Sequence, residues 1–112
     1  MTKKYIIVAK CYDKRGRILS VGTNSYSKTH TIQSYYAKKV GLDVKEYLHS
    51  EIQALIRAGD KQVYRLTVER YNADGQPALA KPCPVCIEAI RAYGVKEVWY
   101  TSPQGFIKEK VK

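Results

Sequence analysis

Two short segments of this chain bring together residues able to do chemistry: His49-Ser50-Glu51 and, 33 positions on from His49, Pro82-Cys83-Pro84-Val85-Cys86. One imidazole and two thiols are a donor set that zinc takes, and three protein donors leave a tetrahedral ion one open position for water. Cys83 and Cys86 alone could equally be a redox pair or half of a structural zinc site. His49 begins to separate these cases, because the only other histidine and thiol are His30 and Cys11, and neither makes a convincing fourth ligand. A structural zinc would want that fourth ligand and be closed; a dimer partner could in principle supply it. Glu51 is a carboxylate not needed as a ligand, and it could take a proton from water at the open position. Zinc(II) with two thiolates and a neutral imidazole sums to zero charge, so hydroxide can form there without excess anionic ligands opposing it. The plain alternative for Glu51 is a solvated first-turn acid favoured by the helix dipole.

These side chains need helix ends to hold them. Cys83 and Cys86 are three apart, about 60° around a helix, so both sulfurs can face one point. Pro84 sits where a first helical residue would lose no hydrogen bond, which makes Cys83 the N-cap and sets both thiols at the positive end of a helix, where thiolate is favoured. In a helix interior His49 and Glu51 would point about 160° apart. At a first turn they can converge on a ligand beyond the helix end.

The surrounding pattern reads as strands and helices in the order ββαα-β-α-β(β). Residues 5–11 form an apolar run suited to a strand buried on both faces. Asp13-Lys14-Arg15-Gly16 turns the chain, and 17–23 returns as a hairpin partner. Ile32, Tyr35, Tyr36 and Val40 mark a helix over 31–40, and Leu48, Ile52, Leu55 and Ile56 mark another over 48–58 ended by Gly59. Residues 63–71 form a third strand, 72–82 a loop rich in turn residues, and 83–93 a helix with Ile87 and Ile90 inward. Residues 95–101 form a fourth strand, and 106–111 return as a weak fifth. Strands separated by helices can cross over in parallel, which implies a mixed sheet with helices packed over it.

Size and composition narrow the classes. A chain of 112 residues suits one domain with a real core. Its longest apolar run is too short to cross a bilayer, and no secretory h-region is present, so a soluble intracellular protein is expected. Three cysteines make no disulfide framework, and Cys11 reads as a packed small hydrophobe. The net charge is +10, with nine Lys or Arg against the single acid Asp13 in residues 1–42. Such a field attracts phosphorylated or polynucleotide ligands, and it also keeps a small protein soluble.

The two motifs resemble those of the cytidine and deoxycytidylate deaminase superfamily, which also includes the tRNA adenosine deaminases. The likeness continues over most of the chain in its order of strands and helices. It implies an α/β fold, a cytidine-deaminase-like three-layer sandwich whose mixed sheet of four to five strands is flanked by helices, in one zinc-dependent deaminase domain over 1–112. It further implies His49, Cys83 and Cys86 as zinc ligands and Glu51 as the residue that moves protons to the ring nitrogen and the leaving amine. Asn24, in Thr23-Asn24-Ser25, resembles the asparagine that holds the substrate sugar; its other reading is a turn-forming Asn. Backbone near Cys83 would contact the oxyanion or amine, and a carbonyl near Ala80 or Lys81 would read the base.

The chain also departs from the family's familiar branches. Cytidine-type members tend to carry cysteine where this chain has His49, which leans it toward nucleotide and nucleic-acid substrates. It lacks the second zinc insert of a standard deoxycytidylate deaminase. Its lead-in Ala78-Leu79-Ala80-Lys81-Pro82 lacks the glutamate usual in tRNA-editing enzymes, and a hairpin between Val95 and Val111 leaves no room for a long C-terminal helix. The resemblance points to a compact bacterial or phage-encoded protein acting in the cytoplasm.

The leading expectation is deamination at C4 of a dCMP- or CMP-like nucleotide by zinc-bound hydroxide, with Arg17, Lys28 and Lys38 as candidate phosphate contacts. A second is deamination of cytosine or adenine in single-stranded DNA or RNA, aided by Tyr26, Tyr35 and Tyr36 as stacking groups, although Tyr35 and Tyr36 also fit the apolar face of a helix. A third is a non-catalytic zinc-containing nucleic-acid-binding protein. The resemblance also implies a homo-oligomer in which a neighbour's loop closes the site.

Overall fold

The computed structural model describes residues 6–24, 35, 36, 38, 39 and 49–111. Within them the elements run β1 (Ile6–Tyr12), β2 (Ile18–Thr23), α1 (Ser50–Ala58), β3 (Arg65–Tyr71), α2 (Pro84–Ala92), β4 (Glu97–Ser102) and β5 (Gly105–Lys110). The strands form one sheet in the order β2-β1-β3-β4-β5. β3 and β4 are parallel, joined by α2 as a crossover. The other neighbours are antiparallel. β2, although followed by helical segments, does not pair with β3, because β1 lies between them.

Register explains which side chains are inside. Ala9, Val68 and Tyr100 share one row, and Cys11, Leu66 and Val98 share the next. All six are buried, in one core with Ile52, Leu55, Val85, Ala89 and Ile90 of the two helices. Burying an aliphatic side chain of this size stabilises a fold by about 1.5–3 kcal/mol. The opposite face carries Lys10, Thr67, Trp99 and Lys108 in one row and Tyr12, Arg65, Glu97 and Lys110 in another. There Glu97 pairs with both Arg65 and Lys108, and both cations lie over the Trp99 ring. β1 is therefore deeply buried on one face only: Ala9 and Cys11 are sealed, whereas Val8, Lys10 and Tyr12 are half-buried. The described residues supply two of the three expected layers, the sheet and the helices on its apolar face. Tyr36, which is helical, joins that core, and Lys39 pairs with Glu88 of α2 at 3.0 Å. The rest of the expected 31–40 helix, and Leu48, lie outside the described residues.

The helices fit their sequences. In α1 the inward residues Ser50, Glu51, Ile52, Ala54, Leu55 and Ala58 are buried, Ile56 is half-buried, and Gly59 stops the helix at φ 65°. In α2, Pro84 opens the first turn and Val85, Cys86, Ala89 and Ile90 face in, while Ile87 is only half-buried. That last point corrects the expectation for Ile87, since the buried stripe runs one position earlier through Cys86. No helix among the described residues is long and apolar enough to cross a membrane.

The loop after β3 is well organised. Asn72 accepts backbone N–H bonds from Asp74 and Gln76 through Oδ1, and Tyr71 bridges to Pro77. The chain then returns beside the strand ends: Ala78 N–H donates to Arg70, Ala80 N–H to Thr101, and Thr101 Oγ1 to the Ala78 carbonyl at 2.7 Å. These bonds fix the approach to Cys83.

α1 lies against β2 at Gly22. A Cβ added there would fall 2.6 Å from Ala54 N and closer still to the Ser50 carbonyl, both backbone atoms of the helix. Ser20 Oγ also donates to the Ala54 carbonyl at 2.6 Å, Thr23 N–H to Gln53 Oε1 at 2.8 Å, and Arg57 Nη1 to the Val21 carbonyl at 2.9 Å. Substituting Gly22→Ala must push α1 off the sheet. A loss of about 1–3 kcal/mol is expected from such overpacking, read as a lower urea midpoint with unchanged slope.

Candidate metal centre and its carboxylate

The donor groups come from two helix N-termini. His49 is the N-cap of α1, with extended backbone (φ −80°, ψ 154°) and no side-chain cap bond. Cys83 is the N-cap of α2 in the same conformation (φ −72°, ψ 169°). Because His49 precedes the helical backbone, its imidazole escapes the angular spacing of a helix interior and turns toward the other helix end. Its Nδ1 stands 3.2 Å from Cys86 Sγ and 3.5 Å from Cys83 Sγ. The three donor atoms lie within 4.8 Å of one another.

This arrangement fits zinc. Usual Zn–N and Zn–S lengths at a tetrahedral angle require N···S separations of roughly 3.6 Å, close to those observed. Among the described residues no fourth His, Cys, Asp or Glu joins the group. His30 lies outside them, and Cys11 is sealed in the sheet core, where burial raises its thiol pKa to about 11. The nitrogen aimed at the sulfurs is Nδ1, a choice that motif spacing does not reveal.

The two thiols are inequivalent. A hydrogen bond from Cys86, helped by His49, lowers the Cys83 pKa to about 4 against the opposing effect of burial. Cys86 is raised well above the ordinary value, because it shares its proton with Cys83, is buried, and faces the Glu51 carboxylate. Both sulfurs bind zinc as thiolates, so loading the ion releases any proton that the pair holds.

Glu51, on the first turn of α1, is 7% exposed. Its carboxylate faces Cys86 and accepts a bond from Ser50 Oγ at 2.7 Å. A buried acid beside the donor group differs from the solvated first-turn acid that sequence alone also allowed. Ser50 is a site residue that sequence reading passes over. A serine between two motif positions carries no signal until its burial is known.

The remaining candidates divide. Asn24 closes the open end of the β1–β2 hairpin: Ile7 N–H donates to its Oδ1 at 2.9 Å, and its own N–H donates to the Ile7 carbonyl. This is the end of β2 near the start of α1, where Thr23 bonds Gln53. Arg17 lies at the opposite end, beyond the six residues of β2, a distance of roughly 20 Å. There its guanidinium pairs with Asp13 at 2.9 Å in the turn, so proximity in sequence to Asn24 does not become proximity in space. Lys38 is helical and exposed, while Lys28 and Tyr26 lie outside the described residues. Tyr36 packs in the core, but Tyr35 is 60% exposed, which corrects its assignment to a buried helix face. The two rings meet edge to face at 5.0 Å.

Comparison with known proteins follows the same lines. Residues 2–102 match the family model described as the cytidine and deoxycytidylate deaminase zinc-binding region. Among solved structures, the chain is similar to a variant of the cytidine deaminase of Mycobacterium tuberculosis, with 16% identity, a TM-score of 0.54, and coverage of 96% of this chain and 74% of that one. A cytidine deaminase from Mycobacterium leprae matches at 18% identity and a TM-score of 0.49, covering 94% and 75%. At 16% identity the likeness to the first of these is one of fold. No curated protein sequence matches the chain.

Removing one sulfur tests the donor group. Cys86→Ala is expected to abolish stoichiometric zinc, read by elemental analysis of dialysed protein, and to lower the melting temperature. Wild-type protein stripped by a chelator should show the same direction of thermal shift and recover when zinc is returned.

Proposed function

The chain belongs to the cytidine and deoxycytidylate deaminase zinc-binding family, and on that premise we propose that it hydrolyses the C4 amine of a cytosine nucleotide of the dCMP or CMP type, releasing ammonia. The observation that carries this reading is the buried Glu51 carboxylate beside, but outside, the three-donor group. A purely structural metal site has no use for such a group.

Zinc held by His49, Cys83 and Cys86 would supply Lewis acidity, which makes an attacking water acidic near neutral pH. Glu51 accepts the proton released as the water oxygen bonds to C4, and passes it to the ring nitrogen. It then carries the second proton of that oxygen to the departing amine, so that cytosine and water become uracil and ammonia. Asn24, anchored to β1 through its carboxamide oxygen, is the proposed sugar contact. For the phosphate, Lys28 and Lys38 remain candidates, whereas the Arg17–Asp13 pair at the other end of β2 speaks against Arg17. The reading includes a homo-oligomer and a cytoplasmic location, where nucleotide substrates are found.

A second reading is supported by the net charge of +10 and by the exposed Tyr35 near Lys38 and Lys39. In it the same chemistry acts on cytosine or adenine within single-stranded DNA or RNA. A zinc protein that binds nucleic acid without turnover is the third, and the retained Glu51 lends it no support.

Ammonia release and product mass should be measured with cytidine, CMP, dCMP, dCTP, adenosine nucleotides, a cytosine-bearing DNA oligonucleotide and an adenine-bearing RNA hairpin. Turnover of dCMP or CMP with inert oligonucleotides is the expected result. Oligonucleotide turnover that weakens steeply with salt selects the second reading, and zinc-loaded protein inert to the whole panel selects the third. Glu51→Gln should keep its zinc while kcat falls by about 10²–10⁴-fold; a variant with wild-type turnover would remove Glu51 from the mechanism.

A further inference from the structure

We propose that Ser50 is a positioning residue whose hydroxyl fixes the Glu51 carboxylate for proton transfer, a role that rests on the reading of Glu51 given above. Serine at a helix start ordinarily caps the first turn. Here His49 holds the N-cap position and makes no side-chain cap bond, and the Ser50 hydroxyl is directed to the neighbouring acid. Ser50 is 0% exposed, and its Oγ donates to Glu51 Oε1 at 2.7 Å. A hydroxyl bonded to a carboxylate away from water is among the stronger side-chain hydrogen bonds.

The consequence is mechanical. Glutamate has three side-chain torsions, and an unrestrained carboxylate would sample geometries useless for proton transfer. Ser50 removes that freedom by holding one carboxylate oxygen. Ser50 is itself held by backbone, because its carbonyl lies against Gly22 of β2 so closely that no Cβ would fit between them. A continuous packed path therefore runs from the strand through Ser50 to Glu51 and on to Cys86. The base is referenced to the sheet rather than to a loop, as effective proton-transfer geometry requires.

Ser50→Ala and Ser50→Thr, in the zinc-loaded full chain, test the role with the substrate found in the panel above. Partners of this outer kind typically cost about 10–100-fold on removal, so the alanine variant should lose kcat by that factor with KM within about twofold. Its zinc stoichiometry and the visible spectrum of its cobalt-substituted form should match wild type. The threonine variant, which keeps the hydroxyl, should recover most of kcat. If the alanine variant does not fold, Ser50→Gly removes the same hydroxyl with less volume, and the same quantities are read from it. Unchanged kcat without the hydroxyl, a kcat loss that merely tracks zinc loss, or no recovery in a folded threonine variant would each overturn the proposal. These outcomes are separable from a failure of the Glu51 reading, which Glu51→Gln tests alone.

Discussion

Two helix N-termini must meet at one point, and most of the molecule is arranged so that they do. α1 can deliver His49 only because Gly22 lets its first turns press onto β2. α2 can deliver Cys83 and Cys86 only because the 78–80 segment is bonded along Arg70 and Thr101 before the helix starts at Pro84. Both helices run back over one apolar sheet face, so their positive ends emerge on the same side. The ligand spacing in sequence is a by-product of this geometry, with one strand and one ordered loop between the helix starts.

The chemistry follows from the different surroundings of similar groups. Cys83 and Cys86 are three residues apart, yet their surroundings push the first thiol's pKa down and the second's up. Cys11, a third thiol, is sealed beneath the helices and raised by burial. The same side chain thus joins the candidate donor group in two places and packs in the core in the third, decided by what faces it. Glu51 is set apart by its contacts with Ser50 and Cys86.

Much of this was legible in the sequence, for identifiable reasons. Pro84 marked the N-cap of α2 because proline tolerates only that part of a helix, and period-two patterning marked β3 because only one of its faces is buried. The apolar run of β1 misled about its second face, since Val8 and Tyr12 look like core residues but share rows with charged neighbours. Arg17 misled because closeness along a strand is distance in space. The link between Ser50 and Glu51, and the use of Nδ1 by His49, depend on rotamers and packing that no residue pattern encodes.

The grip of α1 on β2 has an effect far from the metal centre. β2 is an outer strand, and outer strands expose backbone groups that can recruit further strands. Thr23 N–H and the Val21 carbonyl are already taken by Gln53 and Arg57 of the helix. Amide side chain and guanidinium here stand in for a neighbour strand at two positions, and both come from the helix that His49 caps. Loosening α1 would therefore expose a strand edge while it displaced a ligand, and would join loss of the metal centre to a tendency of the chain to aggregate.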